Sequence, residues 1–154
     1  MNHEQPLRKI PVELAELCAA VDDASLEHRY FLDTETGEVI LISEVSDGDE
    51  VQQQLGEIDE AESGHYLEVP RADSHEGYRD LEDFILTVQD QPLRELLEVA
   101  IQGRGAFRRF KDVLARNPAE LQRWFDFQGA RIEARAREWL TDEGCEPVSL
   151  RTRV

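Results

Sequence analysis

The chain has 154 residues, of which 40% are hydrophobic and 33% charged, so it is too apolar for wholesale disorder and too charged for a membrane-embedded protein. No apolar run approaches the roughly 20 residues that a bilayer-spanning helix needs, and the formal net charge of −17 disfavours nonspecific attachment to nucleic acid or anionic lipid. The segment Met1 to Lys9 is polar, without the apolar stretch of an export signal. The two cysteines, Cys18 and Cys145, fit neither a disulfide framework nor a cysteine zinc site, so cytoplasmic residence is expected.

Leu14, Leu17, Cys18 and Val21 recur at helical spacing, which predicts a first helix from Pro11 to about Val21. Two β-rich runs follow, Arg29 to Leu32 and Val39 to Ile42, around the turn Asp33-Thr34-Glu35-Thr36-Gly37. Both runs are apolar at consecutive positions, which predicts strands covered on both faces or placed centrally in a small sheet. Val51, Leu55 and Ile58 mark an amphipathic helix within residues 46–62, with Ser46 or Asp47 as its cap. His65 to Val69, stopped by Pro70, reads as a third strand.

The remainder reads as helical. A stripe of Tyr78, Leu81, Phe84, Ile85 and Val88 follows Asp73, which with Glu76 resembles a capping pair. Pro92 opens a second helix carrying Leu93, Leu96, Leu97, Ala100 and Ile101, which Gly103 ends in a left-handed conformation. Gly105 leads into a third, with Phe107, Phe110, Val113 and Leu114 expected on its buried side. The run Asn117-Pro118-Ala119-Glu120 places a cap, a first-turn proline and a third-position glutamate in order, and a fourth helix then runs to about Leu140, burying Leu121, Trp124, Phe125, Ile132, Ala136, Trp139 and Leu140. Phe127 points to a different side from Phe125: either this helix is buried on more than one side, or the ring marks a partner groove or a homodimer seam. A short strand is expected at Glu146 to Leu150. The expected fold is α+β in a single domain, residues 1–154. A small three-stranded, mainly antiparallel sheet in an acidic αββαβ half, residues 1–70, precedes a set of about four C-terminal helices, residues 71–154.

The run Ala100-Ile101-Gln102-Gly103-Arg104-Gly105-Ala106-Phe107-Arg108-Arg109-Phe110-Lys111-Asp112-Val113-Leu114, with Phe31-Leu32-Asp33 and Thr36-Gly37-Glu38-Val39 upstream, resembles bacterial uncharacterised protein family 0158 of the UPF series. Asp83-Phe84-Ile85, Arg123-Trp124-Phe125 with Phe127, and Trp139-Leu140 extend the likeness to about residues 27–140. The resemblance implies a small bacterial cytosolic protein and brings no activity with it.

Charge divides the chain unevenly. Residues 1–70 carry 18 acidic and 3 basic side chains, whereas residues 71–154 carry 16 and 14. An acidic N-terminal half points to a non-enzymatic interaction or regulatory protein that meets a basic protein partner. The alternative is RNA or phosphate-ligand binding through Gly103, Arg104, Gly105, Arg108, Arg109 and Lys111, where free backbone N–H groups at a helix start would join four cations. In the purely architectural reading of that segment the glycines shape a turn, both phenylalanines enter the core and the cations pair with neighbouring carboxylates. The block has neither a P-loop ending nor the dinucleotide glycine spacing. His3, His28, His65 and His75 are scattered, and Asp47-Gly48-Asp49-Glu50 and Asp59-Glu60-Ala61-Glu62 do not follow the spaced calcium-loop pattern. No catalytic, cofactor or metal residues are assigned.

Overall fold

The structure, a computed structural model, describes residues 6–43 and 48–148. The elements run β1 (Arg8–Ile10), α1 (Leu14–Asp22), β2 (His28–Asp33), β3 (Val39–Ser43), α2 (Gly48–Glu60), β4 (Tyr66–Glu68), α3 (Ser74–Ile85), α4 (Gln91–Ala100), α5 (Ala106–Leu114), α6 (Pro118–Asp142) and β5 (Cys145–Pro147). The fold is α+β, with a three-stranded antiparallel sheet followed by four C-terminal helices, as the sequence pattern predicts. The expected cap at Ser46 or Asp47 and the far end of the tail strand at Leu150 lie outside the described residues. Two compact units are distinguished: Met1–Ala72 with Ile132–Val154, and Asp73–Arg131.

In the first unit the sheet has the order β3-β2-β4. Phe31 of β2 pairs with Ile40 of β3 and with Glu68 of β4, so β2 is the central strand. Successive strand residues face opposite sides, which explains why both Phe31 and Leu32 are buried. Phe31 joins Ile42 and Val51, with Leu55 and Ile58 of α2 packed against them. Leu32 joins Ile10, Leu17, Ala20, Val69, Ala136, Leu140 and Cys145 on the other face. The consecutive apolar residues are therefore those of a doubly covered central strand.

Two features of this unit depart from the expected pattern. A two-stranded parallel ladder joins β1 to β5, pairing Arg8 with Cys145 and Ile10 with Pro147; strands of three residues are too short to display a period. Pro11 precedes the first helix instead of opening it, because α1 begins at Leu14 after the extended residue Glu13. The Pro11 carbonyl instead lies against Gly37, at the end of the β2–β3 turn.

The second unit holds α3, α4, α5 and the first part of α6 around Leu81, Phe84, Ile85, Val88, Leu97, Phe110, Leu114 and Trp124. Its centre is aromatic. Phe84 meets Phe110, Trp124 and Phe127 edge-on with ring centroids 6.0, 5.4 and 5.5 Å apart, and Phe110 meets Trp124 at 4.8 Å, the offset and T-shaped arrangements that the ring quadrupole favours. The predicted caps form: the Asp73 carboxylate accepts the His75 N–H at 2.8 Å, and the Asn117 side chain accepts the Glu120 N–H at 3.3 Å.

Three side chains expected in the core are exposed instead: Leu96 at 55%, Phe107 at 44% and Phe125 at 45%. On α5 the buried line is Ala106, Phe110 and Leu114, spaced by four, and Phe107 lies about 100° round the helix from Ala106, at the edge of that line. Along α6, Trp124 and Phe127, three apart, both reach the aromatic cluster, which turns Phe125 outward. The helix is thus buried on the Phe127 side.

Gly37 and Gly103 both have positive φ, +81° and +73°, but differ in their surroundings. A Cβ on Gly37 would come within 2.4 Å of the Pro11 carbonyl oxygen, whereas one on Gly103 would meet nothing within 4 Å. Gly103→Ala is expected to cost about 1–2 kcal/mol from backbone strain alone, and Gly37→Ala about 3 kcal/mol or more because overpacking against backbone adds to it. Urea melts of the two variants check this order.

Candidate functional site

The segment Gly103–Lys111 spans the reversal from α4 to α5. The last carbonyls of a helix have no partner within it and must find one outside. Arg109 supplies one to the last of them and two more to the reversal: its Nε donates to the Ala100 carbonyl at 2.9 Å, and its two terminal nitrogens donate to the carbonyls of Gln102 and Arg104 beyond the helix. The Tyr78 hydroxyl donates to the Ile101 carbonyl at 2.8 Å. Gly105, the N-cap of α5 at φ +76°, leaves space for the guanidinium, since a Cβ there would lie 3.0 Å from an Arg109 nitrogen.

Arg109 is therefore a structural clamp with its planar fork turned onto backbone oxygens. The other three cations behave differently. Arg104, Arg108 and Lys111 are exposed, and among the described residues none of them forms an ion pair. The architectural reading required these cations to pair with carboxylates, and among the described residues neither they nor Arg109 does so. Because α5 begins only at Ala106 after a left-handed Gly105, Arg104 precedes the helix and Arg108 and Lys111 lie one turn apart on it.

An open cleft of about 470 Å³ lies between the starts of α4 and α6, lined by Thr87, Gln89, Asp90, Asn117, Glu120 and Arg123. Its polar groups are engaged with one another. Arg123 holds the Glu120 carboxylate through two bonds of 2.8 and 2.9 Å, donates to the Thr87 hydroxyl at 2.7 Å and lies 4.4 Å over the Phe84 ring. Asp90 accepts the Leu93 N–H as the cap of α4. The Arg123 guanidinium holds the Glu120 carboxyl below the usual carboxylate range.

In the first unit, Asp33 organises the β2–β3 turn. Its Oδ1 accepts the N–H groups of Glu35 at 2.9 Å and Thr36 at 3.2 Å and lies 3.1 Å from His65 Nε2. Burial pushes this carboxyl up, but the two N–H groups and the His65 charge together outweigh it and the pKa falls. His65 stacks on Tyr66 with centroids 4.2 Å apart and has Glu35 at 3.6 Å on its other ring nitrogen. The Tyr66 phenol is pushed above its ordinary value by desolvation and by the carboxylates of Asp33, Glu57, Glu35 and Glu38. These come from the turn and from α2, so tertiary structure gathers them. On α2, Asp49, Glu50, Glu57, Asp59 and Glu60 take part in no ion pair among the described residues.

A third cluster, which periodicity alone could not reveal, joins the end of α1 to β2. Asp23 accepts from the Tyr30 hydroxyl at 2.6 Å and the Ser25 N–H at 2.8 Å, and lies 2.7 Å from His28 Nδ1. The Tyr30 and His28 hydrogen bonds hold Asp23 down to about 2, and burial with the Asp23 bond pushes Tyr30 up to about 12. The signal in the sequence was a residue following a helix whose carboxylate could reach a strand five to seven positions on.

The architecture is that of a small α+β protein, with a hydrogen-bonded β2–β3 turn in one unit and a clamped helix reversal in the other. The Uncharacterised protein family (UPF0158) model matches residues 6–152, and the chain belongs to that family. It is 28% identical to a UPF0158 protein of Pseudomonas aeruginosa over 143 residues, covering 93% of this chain and 90% of the relative. A UPF0158 protein of Chlamydia pneumoniae is 23% identical over 141 residues, covering 91% of this chain and 43% of that longer protein. No solved structure matches. No helix among the described residues is long and apolar enough to cross a membrane.

Two expectations follow. Arg109→Ala removes the partners of three carbonyls and is expected to cost about 1–3 kcal/mol, while Arg108→Ala stays within about 0.5 kcal/mol of the parent; chemical denaturation of both variants distinguishes a clamp from a surface cation. Because the folded-state pKa of Asp23 is depressed to about 2 from 3.8, its contribution to stability is present above pH 4 and is lost as pH falls toward 2. Asp23→Asn should accordingly flatten the acid limb of the stability profile in that window, read by thermal melts across the pH range.

Proposed function

We propose that the protein is a non-enzymatic interaction or regulatory protein of the bacterial cytoplasm whose acidic face, built by α2 and the β2–β3 turn, docks a basic surface of a protein partner. The observation that carries this reading is the row of exposed carboxylates on α2, Asp49, Glu50, Glu57, Asp59 and Glu60, which take part in no ion pair among the described residues. Glu35 and Glu38 of the β2–β3 turn are exposed as well, and the Tyr66 phenol of β4 is pushed above its ordinary value by desolvation together with Asp33, Glu57, Glu35 and Glu38. Repulsion within such a face is relieved when a partner brings cations to it, and steering is effective within a Debye length of about 8 Å at physiological salt. The residues that build the face are exposed: Glu50 and Glu57 lie outward on α2, away from the buried Val51.

The test is retention of basic bacterial proteins on the immobilised chain at low and raised salt, comparing the parent with the double variant Glu50→Lys, Glu57→Lys. Retention that falls with salt and drops about tenfold or more in the variant is the expected result. Equal retention by parent and variant overturns the reading.

A further inference from the structure

We propose that α5 presents a contact for single-stranded nucleic acid, formed by the exposed Phe107 ring and the cations of Arg104, Arg108 and Lys111. This contact is independent of the acidic face, and Arg109 has no part in it because its guanidinium is bound to backbone carbonyls. Three observations lead to it. First, Arg104, Arg108 and Lys111 are exposed and without ion pairs among the described residues. Second, Phe107 is 44% exposed on the same helix, with Lys111 one turn further on and Arg108 beside it. Third, the ring is positioned: its edge rests on α3 at Gly77, where an added Cβ would lie 3.3 Å from the ring. A glycine there leaves room for the ring against the helix, while the rest of it faces solvent.

A half-exposed aromatic ring set among cations is the combination by which proteins hold an unpaired strand. The cations neutralise phosphates, and a base stacks on the ring whatever its identity. An acidic protein would need the cations but has no use for a fixed ring, and a duplex hides its base faces from it. The net charge of −17 opposes polyanion binding, yet residues 71–154 carry 16 acidic and 14 basic side chains, and screening confines the field of remote carboxylates to about 8 Å. Asp112, the exposed neighbour of Lys111 on α5, is a carboxylate that works against the contact.

The test is fluorescence anisotropy of a labelled oligouridylate of about 12 nucleotides, long enough for one site of this size, titrated with the full chain at several salt concentrations. With three phosphates neutralised, log K should fall against log salt with a slope of about −2, and Arg108→Ala or Lys111→Ala should each reduce that slope by about 0.7. Phe107→Leu, which keeps an apolar side chain against Gly77, should weaken binding at least about fivefold at an unchanged slope. Circular dichroism confirms that each variant is folded, and because Arg108 and Lys111 are exposed their variants decide the matter even if the Phe107 variant does not fold. The proposal is overturned by an absence of binding at about 50 mM salt, by equal affinity for a duplex of the same length, by cation variants that leave the slope unchanged, or by a folded Phe107→Leu protein that binds as the parent does. Loss of binding to polyglutamate in parallel with RNA would show a general anion patch and would likewise overturn it.

Discussion

Backbone groups stranded where the chain reverses must be satisfied, and two side chains do this for the two units. Arg109 collects the carbonyls of Ala100, at the end of α4, and of Gln102 and Arg104 in the reversal that follows; Asp33 collects the N–H groups of Glu35 and Thr36 at the end of β2. A charged group bonded to several neutral dipoles is well suited to this, because each such bond is stronger than its neutral counterpart. Main-chain groups paired in this way can be buried as the strands and helices pack.

This division of labour separates architecture from surface chemistry within one short segment. Of the cations between Gly103 and Lys111, one faces the backbone and three face solvent. The same holds in the first unit, where Asp33 is committed to the turn while Glu35, Glu38 and Glu57 remain at the surface. Side-chain reach decides the sorting: a guanidinium five positions beyond Arg104 can fold back over the reversal, and a carboxylate at the first turn position can accept the N–H groups two and three residues on.

The aromatic centre of the second unit follows from the same economy of space. Phe84, Phe110, Trp124 and Phe127 interlock edge to face, and the arginines at its margin, Arg123 over Phe84 and Arg131 over Phe127, cover ring faces at 4.4 and 4.7 Å while keeping their carboxylate partners Glu120, Asp80 and Asp83. Their charge is thus spent on rings and neighbouring acids. The pairing with Asp80, itself 2% exposed, supplies the partner that a buried carboxylate requires.

By itself the sequence determined the order and type of the longer elements, because apolar residues at periods of 2 and 3.6, with Asp73, Asn117, Gly37 and Gly103 as punctuation, report local geometry directly. The expectation that both apolar runs are covered on both faces or central holds for β2, where Phe31 and Leu32 are buried on opposite sides, but not for β3, an edge strand whose Leu41 is exposed, because an apolar run does not report a strand's place in the sheet. Only tertiary structure decided the β1–β5 ladder, whose three-residue strands carry no period, and the exposure of Phe107, which sits at the edge of the α5 stripe. It alone could tell Arg109 from Arg108, adjacent and chemically identical in sequence, because which of two guanidinium groups reaches the α4 carbonyls depends on their directions around α5 and on the left-handed Gly105 that sets where α5 begins. The surroundings of Asp33 likewise required the fold: His65 and Tyr66 lie more than thirty positions from it along the chain, and the antiparallel pairing of β2 with β4 brings them to the turn.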